Sequence, residues 1–268
     1  MLVLIAAGVA GLLALLYAGA LAAAYWRQEA LLFHPDVLPA QHAFDLPDVT
    51  EVRIDVDGAV LSALHLKLPR PKGVVFFLHG NAGCLESWFV NAGFYRRANF
   101  DLFMIDYRGY GKSSGRIESE AQLHADVARA WQQVAPQYAG MRRVIYGRSL
   151  GSDLAAALAA REHPDLTILA SPYWSMADLA RLHYPLLPAA LLRYPLETFR
   201  EVARIDGPLL LLHGDQDALI PLAHAERLQA LNPRATLVSV PGAGHGDLQE
   251  FPVYTAAVAA ALDALPPR

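Results

Sequence analysis

The chain has 268 residues, 54% hydrophobic and 18% charged, enough apolar surface for one substantial core and too little charge for a disordered chain. A formal net charge of −4, with no basic cluster along the chain, excludes an electrostatic footprint for nucleic acid, so no nucleic-acid partner is expected. Cys84 is the single cysteine, which excludes an intramolecular disulfide and a cysteine-built zinc cage.

From Leu2 to Trp26 no charged side chain occurs. Leu, Ala and Val dominate the run, which exceeds the roughly 20 residues needed to cross a bilayer, and Tyr25 and Trp26 stand where an interfacial aromatic belt belongs. The run predicts residues 1–26 as a single-pass N-terminal transmembrane helix. The competing reading is a signal peptide: Ala18-Gly19-Ala20 and Ala22-Ala23-Ala24 offer small-residue cleavage patterns, but a basic n-region is missing and the run outlasts an ordinary h-region. A buried core helix is the third reading, disfavoured because a terminal helix apolar on all faces is hard to cover with protein. Arg27 follows the span and inclines the domain toward the cytoplasmic side, though one charge does not fix it.

Residues 27–48, with the proline-bearing stretch Phe33 to Pro47, read as a linker lying over the surface of a domain at 49–268. Alternation from Glu51 to Val56, a turn at Asp57-Gly58 and the apolar run from Val60 to Leu68 predict an antiparallel hairpin. Short apolar runs at Gly73–Leu78, Phe100–Ile105, Arg143–Tyr146, Leu166–Ala170, Leu209–Leu212 and Thr236–Val240 read as fully buried strands, separated mostly by segments of helical length. The alternation predicts an α/β fold: a mostly parallel sheet with helices on both faces. Between the last strand before Ser171 and the one at Leu209 lie roughly 40 residues, more than one crossover helix needs. This interval, about 173–206, reads as a small lid insertion over the carboxyl ends of the strands.

Gly147-Arg148-Ser149-Leu150-Gly151 matches G-x-S-x-G directly after a strand and before a helical run, the context in which the glycines permit a tight turn that exposes a nucleophilic serine. A serine hydroxyl needs a base to take its proton, and that base needs an acid to orient it. Asp217 follows a buried strand, and His245 follows the next in a glycine-rich loop, Gly242-Ala243-Gly244-His245-Gly246. Taken singly, Ser149 and Asp217 also read as helix caps and His245 as a loop histidine; their order along the chain favours a triad. Asp215 is the local competitor for the acid. His79-Gly80-Asn81-Ala82-Gly83, after an upstream strand, sits where a second oxyanion donor is needed, which nominates the backbone N–H groups of Asn81 and Leu150. A plain βα turn is the alternative reading of that loop. His79 and His213 read as hydrogen-bonded scaffold, and His224 as a residue on a helix surface.

Together His79–Gly83, Asp106-Tyr107-Arg108-Gly109-Tyr110-Gly111-Lys112-Ser113-Ser114-Gly115, Gly147–Gly151, His213-Gly214 with Asp217, and Gly244-His245 resemble the α/β-hydrolase superfamily, and within it the BEM46-like branch. The resemblance runs from about Phe33 to the C-terminus. It implies the α/β-hydrolase fold, with Ser149 as nucleophile, Asp217 as acid and His245 as base; some eukaryotic relatives remove fatty acyl groups from proteins. Asp153 departs from the small residue more usual there.

Gly111-Lys112-Ser113 lacks the first glycine of a phosphate loop, and Gly109-Tyr110-Gly111 lacks the third glycine of a dinucleotide fingerprint. No cofactor or metal is implied. The expected function is hydrolysis of a carboxylic ester or thioester through an acyl-enzyme, on a small-molecule or lipid-like acyl substrate near the membrane. The apolar segment Tyr184 to Leu192 is expected either to line an acyl pocket, to rest against lipid, or to cover the core. The alternatives are a peptidase, or a non-catalytic membrane-anchored scaffold on the same fold.

Overall fold

The structure, a computed structural model, describes residues 1–266, so the domain end expected at 268 lies outside the described residues. Helix α1 (Leu2–Trp26) carries no buried residue, and its apolar side chains are exposed on every face. The segment expected to be a linker over the domain surface carries structure of its own and packs on the domain. Helix α2 (Gln28–Leu32) follows at once, Gln28 and Phe33 are buried, and His34–Pro35 pairs in parallel with Ala82–Gly83.

The alternating segment forms the hairpin β1 (Val49–Val56) and β2 (Ala59–Leu66), turning at Gly58 with φ +71°, a value only glycine adopts without strain. Then come β3 (Gly73–Leu78), α3 (Leu85–Trp88), α4 (Ala92–Ala98), β4 (Asp101–Ile105), α5 (Glu120–Val134), β5 (Arg142–Arg148), α6 (Leu150–Glu162) and β6 (Leu166–Ala170). The interval before β7 (Leu209–Gly214) holds α7 (Met176–His183), a 3-10 turn at Ala189–Leu191 and α8 (Thr198–Val202). Helix α9 (Ala223–Leu231), β8 (Ala235–Val240) and α10 (Pro252–Asp263) complete the chain.

These eight strands form one sheet in the order β1-β2-β4-β3-β5-β6-β7-β8, in which β2 runs antiparallel to β1 and β4 on either side of it. Continuous apolar strands suit this sheet because both faces are covered. Phe76, Ile145 and Leu211 face the α5–α6 side with Trp131 and Leu154; Phe77, Tyr146 and Leu212 face the α4–α10 side with Tyr95 and Val258. Pairing aligns the carboxyl ends. Leu78 lies beside Gly147, Arg148 beside Ala170, and Ala170 beside Leu212, so the loops after β3, β5, β7 and β8 emerge along one edge.

Asp153, the departure noted above, is buried and ties the fold together. Its Oδ1 accepts from Thr198 Oγ1 at 3.1 Å, and its Oδ2 lies 3.4 Å from His124 Nε2, so α8 is fastened to α6 and α5.

Candidate active site

Ser149 occupies the junction of β5 and α6 with φ 51° and ψ −119°, a conformation unfavourable for a residue with a Cβ. The flanking glycines make it reachable. A Cβ at Gly147 would stand 2.2 Å from the Gly151 carbonyl oxygen, and one at Gly151 would stand 2.2 Å from that of Leu78. No larger residue fits either position without moving backbone. Ser149 N–H donates to the Ala170 carbonyl at 2.9 Å, which pins the turn to β6.

The structure brings Ser149, His245 and Asp217 into one hydrogen-bonded chain. His245 Nε2 lies 3.0 Å from Ser149 Oγ, and His245 Nδ1 lies 2.8 Å from Asp217 Oδ2. Asp217 Oδ1 accepts from the N–H groups of Leu219 at 3.0 Å and Ile220 at 2.8 Å. Burial works against ionisation of this carboxyl, but hydrogen bonds from His213, His245 and Ile220 outweigh it and hold its pKa well below the usual carboxylate range. An ionised Asp217 accepts a hydrogen bond from Nδ1–H, leaving Nε2 as the basic nitrogen aimed at Ser149. His213 stands beside Asp217. Its Nε2 donates to the Ile220 carbonyl at 2.6 Å and lies 3.5 Å from Asp217 Oδ2.

Asp215 is turned elsewhere, with Oδ1 accepting from Gly242 N–H at 2.7 Å and so holding the loop that carries His245. The same loop is gripped by Arg148, whose Nη2 donates to the His245 carbonyl at 2.9 Å and whose Nη1 donates to Gln249 Oε1. The Arg148 guanidinium carbon lies 5.4 Å from the centroid of the Trp88 ring. Sequence reasoning passed over Arg148, although its place inside G-x-S-x-G was the available signal.

The loop from Gly80 to Gly83 runs against Ser149, since a Cβ at Gly80 would stand 3.6 Å from that of Ser149. The Asn81 side chain is turned to the N-terminal connector, with Nδ2 donating to the Leu32 carbonyl at 2.9 Å. The Asn81 carbonyl accepts from His34 N–H at 2.8 Å and from Tyr110 Oη at 2.6 Å. Three bonds therefore fix the backbone whose N–H was nominated as an oxyanion donor. Leu150, which carries the other nominated N–H, is the first residue of α6.

A cavity of about 700 Å³ opens beside Ser149 and His245. Phe77, Trp88, Phe94 and Met104 form one side, and Tyr254 and Val258 of α10 another. Here one set of alternatives is narrowed and one expectation is corrected. No residue of the interval 173–206 lines this cavity, because α3, α4 and α10 enclose it on the other face of the sheet edge. His224 is buried rather than on a helix surface, its Nδ1 accepting from Trp174 N–H at 3.0 Å. Among the described residues, no group of three or more His, Cys, Asp or Glu side chains is arranged to hold a metal ion.

A family model described as Serine aminopeptidase, S33, matches residues 69–198. An uncharacterized protein of Mycobacterium tuberculosis is 31% identical over 252 residues, covering 89% of this chain and 88% of its own. Alpha/beta hydrolase domain-containing protein 17C of Xenopus tropicalis is 30% identical over 225 residues, covering 80% of this chain and 69% of its own. Among solved structures, an esterase of Pyrococcus furiosus superposes with a TM-score of 0.69 at 19% identity, covering 87% of this chain and 98% of its own. With the strand order, the turn at Ser149 and these relatives together, the chain belongs to the α/β-hydrolase superfamily.

Proposed function

We propose that the protein is a membrane-anchored serine hydrolase that cleaves a carboxylic ester or thioester of a lipophilic acyl group. The observation that carries this reading is the Ser149–His245–Asp217 chain at the mouth of a largely apolar cavity. In the first half-reaction Ser149 Oγ attacks the acyl carbonyl while His245 Nε2 takes its proton, and ionised Asp217 stabilises the imidazolium. Backbone N–H groups of Asn81 and Leu150 receive the developing oxyanion. The tetrahedral adduct collapses, His245 protonates the departing alcohol or thiol, and the acyl group stays on Ser149. Water, deprotonated by the same histidine, then releases the acid and restores the serine.

The second reading is an aminopeptidase, as the description of the matching family model would have it. Recognition of a free amino terminus calls for a carboxylate in the pocket, yet the cavity lining holds Arg97 and Arg148 and neither Asp nor Glu. That charge balance favours the ester reading.

The anchor reading rests on α1, which is apolar throughout and buries no residue in the domain. Leu32, at the end of α2, bonds directly to Asn81, so the proposed oxyanion loop sits close to where the anchor leaves the bilayer. Replacing Ser149 by Ala is expected to abolish hydrolysis of p-nitrophenyl butyrate while thermal unfolding is unchanged, since only one oxygen is removed. Retention of about a tenth of the activity would overturn the assignment, because such knockouts lose roughly a thousandfold or more.

A further inference from the structure

Between α7 and α8 the chain carries no charge from Tyr184 to Leu192, and Leu186 is 77% and Tyr184 68% exposed. An exposed apolar stretch of this size on a folded domain marks a contact surface. Part of its backbone is already satisfied within the protein. Pro185 and Pro188 have no N–H, and the N–H groups of Tyr184, Leu187, Leu191 and Leu192 donate within the segment or to Ala180. Two of its carbonyls are taken by the N-terminal helices: Tyr17 Oη donates to the Leu186 carbonyl at 2.6 Å, and Gln28 Nε2 to that of Leu191 at 2.7 Å.

These bonds lay the segment along α1. At a rise of about 1.5 Å per residue, Tyr17 stands roughly 13 Å up the helix from Trp26. The headgroup layer occupies only about 5–7 Å on each side of the hydrocarbon, so with Tyr25 and Trp26 at the interface Leu186 lies at the depth of the acyl chains. At that depth neither a phenol nor a carbonyl has water to bond, and the two satisfy each other. The return to water is marked just beyond. Arg193 pairs with Glu29 at 2.6 Å and lies 5.8 Å from the centroid of the Tyr25 ring.

We infer that Tyr184–Leu192 is embedded in the leaflet through which α1 leaves the membrane, as a second lipid contact that fixes the orientation of the domain. The inference rests on the anchor reading above; its occupant is the acyl region of the bilayer, continuous with the lipid around α1. The cavity beside Ser149 then opens near the membrane surface with the lid interval serving attachment rather than substrate enclosure.

The test uses the full chain reconstituted in phosphatidylcholine vesicles, with an environment-sensitive fluorophore on Leu186→Cys or, as a control at the amino end of β5, on Met141→Cys. Both positions are exposed, whereas Cys84 is buried, so the unmutated chain serves as the blank. After flotation with vesicles, the label at 186 is expected to be quenched at least about threefold more than that at 141 by lipids carrying a nitroxide on the acyl chain, and to resist aqueous iodide. Flotation with the 186 label as open to iodide as the control would overturn the embedding and leave the anchor standing. Failure of the chain to float at all would overturn both.

Discussion

Gly93 allows the cavity to be shortened without touching Ser149, His245 or Asp217. It lies on α4 and lines the cavity, and a Cβ built there meets only Arg97 Nη1, at 3.6 Å, an ordinary contact. The first carbon of a larger side chain therefore has room, and Gly93→Leu adds up to about 1 kcal/mol of intrinsic helix propensity. In the unmodified protein each methylene buried in the transition state contributes about 0.8 kcal/mol, so kcat/KM rises roughly fourfold per added carbon until the cavity is full. A leucine side chain adds four carbons and occupies the room of about four methylenes, so the longest acyl chains lose about 3 kcal/mol, or roughly two-hundredfold in kcat/KM, while acetate is untouched. The assay is a series of p-nitrophenyl esters from acetate to decanoate, each below its micelle concentration. An equal loss across the series, or none, would refute the assignment of this cavity as the acyl site.

Asp217→Asn removes the acceptor facing His245 Nδ1 and is expected to lower kcat by about 10³–10⁴, whereas Asp215→Asn retains an oxygen for Gly242 N–H and stays within about tenfold of wild type. Steady-state kinetics on both folded variants check this, and the reverse order would exchange the roles. Acid stability is expected to depend on His65, whose pKa burial, helped by nearby Lys67, brings from 6.5 to about 4. Below pH 6.5 the unfolded chain binds a proton that the folded chain refuses, so this contribution is complete above 6.5 and declines by about 3 kcal/mol as the pH falls to 4. Denaturant unfolding at pH 7 and pH 4.5 should show His65→Gln losing most of that difference; an unchanged pH dependence would contradict it.

The parallel strands were legible because each is a short apolar run buried on both faces, and the G-x-S-x-G turn because Gly147 and Gly151 are sterically required. The connector was not. Gln28 and Phe33 show no periodicity of their own, and their burial comes from contacts with Arg193, Tyr194 and Leu191, distant in the chain. The cavity wall was not legible for a related reason: Leu85 to Ala98 is broken into a one-turn helix, a 3-10 turn and a short helix, which gives too weak a periodic signal to read as a wall. The lid interval drew attention through its apolar residues, but apolarity alone does not distinguish a pocket lining from a lipid contact. Asp217 stood apart from Asp215 only by loop geometry, and the structure shows the shorter offset spent on holding Gly242.

The central claim is that Ser149 is an activated nucleophile, and a fluorophosphonate probe tests it most directly because it reacts covalently only with such a serine. Labelling of the full chain, followed by peptide mass mapping, is expected to place the adduct on Ser149, with labelling lost in Ser149→Ala and strongly slowed in His245→Ala. An adduct on another residue, or a Ser149 that stays unlabelled in folded protein, would contradict the account.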